Sequence, residues 1–293
     1  SARHPQAQWA SIELAGHDQA PAQALLSVQP GAPVQAAYFH PSTGERLPDV
    51  IGEDWFETIE HLHRDLLLGD VGKNITGISA ILLLGMVLAG SYLRWQRRPK
   101  TLKGWFWVRS STSARAHAFQ WRGVLGTWLG ALLIFSAATG LSWSYEPYKK
   151  AIYQVLSVPY KAKAPRTAPA TYDSAHFASD MSAAWPAFVR DVGAFDRAIF
   201  TPKADDVAVA YWLPGAAHIR EKNDIRFNAR GQRIEHRLFA QKPLGEQLTL
   251  SWKMLHTGQY WGWSGQLMLL LSSLSLVAMT YFGFRLFFKS SKS

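Results

Sequence analysis

The sequence contains no cysteine. That absence excludes disulfides, thiolate zinc sites, iron–sulfur clusters, covalently attached c-type haem and cysteine nucleophiles, because each needs the sulfur. A metal or redox centre must then be built from His, carboxylate, Tyr or Met. Acid is missing from one long stretch as well: no Asp or Glu occurs between Asp70 and Glu146, a gap of 75 residues that a solvated domain rarely shows. No G-x-G-x-x-G fingerprint is present, so nothing marks a self-contained nicotinamide-nucleotide site.

What is present is apolar and basic. Of 293 residues, 48% are hydrophobic, with 13 Trp, 15 Phe and 10 Tyr, and the formal charge is +10. The location of that charge decides its meaning. Residues 1–60 hold 2 Lys/Arg against 8 Asp/Glu, and residues 146–252 hold 15 against 11. Residues 94–122 hold 8 cations and no acid. An excess confined to one short loop and the C-terminal tail is the positive-inside pattern of a membrane protein; a nucleic-acid-binding face would spread it over a folded surface, so no nucleic-acid partner is expected.

Three uncharged runs supply the spans: Ile75 to Leu93 is 19 residues, Gly123 to Tyr145 is 23 and Gly258 to Phe284 is 27. Each is long enough to cross a hydrocarbon core about 30 Å thick. The loop carrying Arg94, Arg97, Arg98, Lys100, Lys103, Arg109, Arg115 and Arg122 is then cytoplasmic, and residues 1–60 and 146–252 lie outside, in the periplasm of a bacterium. The expected order is an outer segment (1–60), a span with an outer His motif (61–93), a basic loop (94–116), a second span (117–145), a second outer α+β domain (146–252), a third span (253–284) and a cytoplasmic tail (285–293). In the outer parts, strands are expected over Phe195–Phe200, Val207–Leu213 and Ile225–Phe239, helices over Trp55–Leu68 and Thr171–Val189, and a Pro-rich linker over residues 159–169.

Two stretches repeat one order of parts. AAYFHPSTGERLPDV (36–50) reads as strand, Gly turn, strand; Leu62-His63, Gly69 and Gly72, an apolar run, Gly90 and Arg94 follow. IRFNARGQRIEHRL (225–238) reads the same way and is followed by Leu255-His256, Gly258 and Gly262, an apolar run, Gly283 and Arg285. From His to the closing Arg is 31 residues in one copy and 29 in the other. The second copy is preceded by the span 123–145, with His117 on its cytoplasmic side. By symmetry a fourth helix with a comparable His is expected upstream of Ser1, since the chain opens with neither a signal peptide nor a span.

His63, His256 and His117 thus stand at membrane edges, where an imidazole is costly unless it has a partner. Without cysteine, b-type haem held by two axial imidazoles is the cofactor that fits these residues best. His63 and His256 would hold an outer haem, and His117 an inner one together with the upstream His. Arg64, Arg122 and Lys253 are candidate partners for haem propionates. His61 should point away from His63 on a shared helix. His4, His17, His40, His176, His218 and His236 are expected to be solvated, and Trp105-Phe-Trp107 and Tyr260-Trp261-Gly-Trp263 to form interfacial belts.

The runs HLHRDLLLGDVGKNITG, WRGVLGTWLGALLIFSAATG and MLHTGQYWGWSGQ, with YFHPSTGERL, together resemble the PepSY-associated transmembrane proteins, and among these the inner-membrane siderophore reductases of Gram-negative bacteria, such as the ferrioxamine reductases. The resemblance covers nearly the whole chain, beginning after the family's first helix. It implies an α-helical integral membrane protein with four helices, three of them here, and α+β PepSY-like periplasmic domains. It further implies b-type haem on helix histidines and reduction of ferric siderophore iron, with a quinol or a cytoplasmic reductant as electron donor. Carried over by position, the family's Leu-His motifs fall on His63 and His256. Where the family has a His-Arg pair ahead of a Gly, this chain has Trp121-Arg122, so that role passes to His117 or is lost.

Overall fold

The computed structural model describes residues 7–16, 20–27, 33–49, 51–97, 99–109, 113–162 and 169–290. His4, His17, Arg98 and residues 163–168 of the expected linker lie outside the described residues. The chain divides into two compact units, one of residues 1–52 with 160–250, the other of residues 53–159 with 251–293.

The first unit is one antiparallel sheet of eight strands: β1 (Gln8–Ala15), β2 (Ala22–Ser27), β3 (Gln35–Phe39), β4 (Arg46–Leu47), β5 (Arg197–Pro202), β6 (Asp206–Trp212), β7 (Asn223–Asn228) and β8 (Arg233–Arg237), in the order β4-β3-β2-β1-β5-β6-β7-β8. Two four-stranded meanders are therefore joined edge to edge, with Ile12 opposite Phe200 and Leu14 opposite Ala198. This corrects the expectation of separate outer modules. Each meander alone would have two open edges of unpaired N–H and C=O groups; pairing β1 with β5 closes one of each and leaves β4 and β8 as the edges of the joined sheet. No local signal marks that pairing.

Burial alternates along β5, β6 and β7, as a sheet with one covered face requires. The cover is the helix Ser174–Val192, which starts where Asp173 accepts hydrogen bonds from the Ala175 and His176 amides and stops at Gly193 with φ 71°. Its Phe177 packs with Trp9, Ala24, Leu26 and Ala37 of the first meander. One face further along, Ala184, Ala187 and Phe188 pack with Phe200, Val209, Tyr211, Ile225 and Phe227 of the second. Of the histidines expected in solvent, His40 and His176 are exposed. His218 is not: it is buried edge-on to Phe239. His236 is half-buried, with Nε2 2.8 Å from the Tyr211 hydroxyl. Tyr211 and Phe239 are core residues, so their nearest neighbours are drawn in with them.

The second unit is helical. In chain order its elements are α1 (Glu53–Asp65), α2 (Gly69–Gln96), α3 (Leu102–Phe106), α4 (Ala114–Ser144) and α5 (Glu146–Val155). The sheet-covering helix follows as α6, and then come α7 (Leu244–His256), within which the unit boundary falls, and α8 (Gly262–Ser290). Among the described residues three helices are long and apolar enough to cross a membrane: Gly69–Gln96, Ala114–Ser144 and Gln259–Arg285, with mean hydropathy 1.9, 1.8 and 1.9. The chain is thus a membrane protein by length and composition of its helices, and α4 carries the main packing contacts to both α2 and α8.

Several boundaries move. The segment 61–93 is not one helix, because α1 ends at Asp65 and a turn with Leu66 (φ 53°), Leu67 (φ 59°) and Gly69 (φ 58°) separates it from α2. The segment 253–284 is broken likewise by the 3-10 turn Gln259–Trp261, between Gly258 and Gly262. Residues 53–60 and 146–159 belong to the helical unit and not to the unit that holds the sheet.

Candidate functional site

The turn after each Leu-His pair is built to one plan. Gly69 and Gly262 both stand six residues past their histidine, both have positive φ (58° and 63°), and each is the first residue of its long helix. Only glycine adopts that backbone without strain. Three residues further, Gly72 and Gly265 pack against backbone: a Cβ on Gly72 would lie 1.7 Å from the Asp65 carbonyl oxygen, and one on Gly265 2.3 Å from that of Gly258. The repeat is therefore structural, with Gly265 rather than Gly262 matching Gly72.

The two repeats bring their histidines together. His63 on α1 and His256 at the end of α7 face each other with ring centroids 6.3 Å apart and planes 39° apart. His256 is held from several sides. Its Nδ1 lies 2.9 Å from Thr139 Oγ1 on α4. The Thr139 hydroxyl donates its proton back to the Phe135 and Ser136 carbonyls, so toward the imidazole its oxygen can only accept. Nδ1 of His256 therefore carries the proton, and Nε2 keeps its lone pair. The ring also packs on Trp143 (centroids 5.1 Å) and over Gly140, where a Cβ would stand 3.0 Å from Cε1. Trp252, one turn before His256, donates Nε1–H to the Thr139 carbonyl (3.2 Å) and to Ser142 Oγ (3.0 Å), tying α7 to α4. Burial and the facing His63 push the His256 pKa down to about 4, so the ring stays neutral.

The charged neighbours on α1 are committed to one another. Arg64 donates to Glu60 and Asp65, with Nη2 2.9 Å from His61 Nδ1, and Lys253 pairs with Glu60 at 3.5 Å. Burial opposes ionisation of Asp65, but hydrogen bonds from His61 and Arg64 outweigh it and hold the carboxyl below its usual range. His61 is thus bound within this cluster on its own helix. Arg122 lies on α4, exposed, with its guanidinium 4.0 Å from the position of a Cβ on Gly283. His117 is exposed on the first turns of α4, and its Nε2 accepts the indole proton of Trp121 at 2.9 Å. Trp121 in turn stacks on Phe282 of α8. His117 therefore does not join the His63–His256 pair. The residues missed in sequence are Thr139, Trp143 and Trp252, none of which carries a local signature.

The donor set tests what the pair can hold. Two imidazoles that each place a nitrogen about 2.0 Å from a shared metal have ring centres roughly 6 Å apart, which the observed spacing matches. Among the described residues no group of three or more His, Cys, Asp or Glu converges as a metal site. Two neutral imidazoles, one with its tautomer fixed by a hydroxyl, fit a metal that brings its own equatorial ligands. A haem is such a group, so the residues present fit it.

Apolar helices long enough to cross a membrane, a pair of facing histidines beside them and an antiparallel sheet with a covering helix define a membrane protein that carries an α+β unit. The family model for the PepSY-associated TM region matches residues 1–290, and the chain belongs to that family. No curated protein matches it.

Proposed function

We propose that this chain is a haem-b-dependent oxidoreductase of a bacterial inner membrane, passing single electrons outward to the iron of a ferric siderophore of the hydroxamate type in the periplasm. The observation that carries the reading is the His63–His256 pair, 6.3 Å apart, with Thr139 reserving Nε2 of His256 for a metal. Bound there, haem supplies a one-electron Fe(III)/Fe(II) couple. The chain's own residues do the rest. His63 and His256 would grip from two helices that the repeat positions alike, Thr139 orients the second imidazole, and Trp143 and Gly140 shape its wall. His117, freed from Trp121, is the proposed ligand of an inner haem.

The substrate class follows from the resemblance and from redox chemistry. Hard oxygen donors hold Fe(III) far more tightly than Fe(II), so one electron added to the iron loosens the complex without breaking a covalent bond. The Lys/Arg asymmetry supports an outer position for His63 and His256. The electron would come from a membrane quinol or a cytoplasmic reductant.

The test is spectroscopic, then chemical. Detergent-purified protein should show a low-spin b-type spectrum with split alpha and beta bands after dithionite, and the reduced form should be reoxidised by a ferric hydroxamate with one Fe(II) trapped per electron. A folded but colourless preparation refutes the haem assignment and favours a sensory or binding role. Reduced protein that ignores ferric hydroxamate but reacts at once with a quinone refutes the siderophore substrate alone.

A further inference from the structure

The connection from α2 to α4 carries the chain's densest cationic stretch, and its fold has a use that electron transfer does not explain. Of the eight Lys and Arg residues from Arg94 to Arg122, none among the described residues forms an ion pair with a carboxylate, in keeping with the acid-free sequence around them.

Yet the connection is pinned. Arg94 sends Nε to Thr127 Oγ1 (2.7 Å) and Nη2 to the carbonyls of Trp105 (2.8 Å) and Gly104 (3.2 Å), with its Cζ 5.3 Å from the centre of the Trp105 ring. Gly123 makes room for it, since a Cβ there would meet Nη1 at 1.9 Å. Trp128 donates to the Phe106 carbonyl at 3.0 Å, the Arg109 amide donates to Gln120 Oε1 at 2.8 Å, and Arg109 Nη2 donates to Thr101 Oγ1 at 3.0 Å. Arg94 is thus used internally, while Lys100, Lys103, Arg109 and Arg115 are exposed. Between them Leu102 is 80% and Trp107 65% exposed.

We propose that residues 99–109, with Arg115, form a docking surface for anionic phospholipid headgroups: Lys100, Lys103, Arg109 and Arg115 take lipid phosphates while Leu102 and Trp107 enter the acyl boundary. Charge complementarity argues for an anionic partner, because like charges held on one scaffold repel until an anion neutralises them. The interleaved apolar side chains, at the ends of two membrane-crossing helices, favour lipid over a soluble acidic protein. The inference stands whether or not haem binds.

The full chain in nanodiscs of phosphatidylglycerol and phosphatidylcholine should retain phosphatidylglycerol selectively in native mass spectra. A cation near such a surface contributes about five-fold in affinity, the conversion of about 1 kcal/mol at 25 °C. Lys100→Gln/Lys103→Gln/Arg115→Gln, which spares the pinning contacts, should therefore weaken retention by roughly 100-fold, and Lys100→Arg/Lys103→Arg/Arg115→Lys should restore it. If the neutralised protein keeps phosphatidylglycerol as the wild type does, or if the wild type shows no headgroup preference, the proposal is wrong. It is equally overturned if an acidic soluble protein occupies this face and anionic vesicles do not compete for it.

Discussion

Gly72 and Gly265 each face the backbone carbonyl seven residues earlier, and each stands nine residues after its histidine. The pair of repeats uses this contact to set where a long helix begins relative to an imidazole. Gly72→Ala and Gly265→Ala insert a methyl group into backbone, not into a side chain that can turn away, and overpacking of this kind costs about 1–3 kcal/mol. Both variants are expected to lose thermal stability and bound chromophore together. Gly85→Ala and Gly90→Ala, where an added Cβ meets nothing, are expected to be neutral in the same melting and absorbance measurements.

Thr139 is predicted to act through His256. Thr139→Val keeps the shape but removes the acceptor of Nδ1–H, and loss of a hydrogen bond of this kind weakens metal retention about 10–100-fold. Thr139→Ser should rescue it. Competition for haem by an apo-protein acceptor, together with the low-temperature electron paramagnetic resonance of the ferric form, reads both effects. A Val variant indistinguishable from wild type in both measurements removes the role assigned to Thr139.

The separation of His117 from the His63–His256 pair predicts a division of spectral components. His63→Ala and His256→Ala should remove the same one, and His117→Ala should leave that one intact. Because Trp121 occupies Nε2 of His117, Trp121→Phe should leave any His117-dependent component in place or strengthen it. Its loss in Trp121→Phe would mean that the indole supports the site rather than competing with it.

The sheet should weaken in mild acid. Burial lowers the pKa of His218, despite an opposing pull from Glu221, and burial followed by repulsion from Arg233 lowers that of His236. Both are neutral when folded and take up protons more readily when unfolded. Their stabilising contribution is therefore complete above the ordinary histidine pKa of about 6.5 and falls as pH drops below it. Protection factors of the β6 to β8 amides, taken relative to the intrinsic exchange rate at each pH, should fall between pH 7 and pH 5, and His218→Asn/His236→Asn should flatten that dependence. An equal fall in protection in the double variant would place the acid sensitivity elsewhere.

Uncharged runs and the Leu-His pairs were enough to locate three long helices and the facing histidines, because length and apolarity are properties of a segment alone. The breaks ahead of α2 and α8 were harder to read. One is made partly by Leu66 and Leu67 at positive φ, residues without turn propensity, and strain there is tolerated only in folded context. Thr139 lies 117 positions from His256, and nothing local marks one hydroxyl among many on an apolar helix. The burial of His218 and the joining of the meanders depend likewise on partners far along the chain.

Joining β1 to β5 links Ile12 to Phe200, 188 positions apart. At a synthesis rate of roughly 5–20 residues per second, the first meander waits on the order of ten to forty seconds for the strand that covers its edge. During that interval α2 and α4 must already be entering the membrane, while an exposed strand edge stands ready to pair with any other chain nearby. Completion of the sheet is thus a late event that depends on correct threading of the helices before it, and a delay in their insertion would be felt first as aggregation of the N-terminal meander.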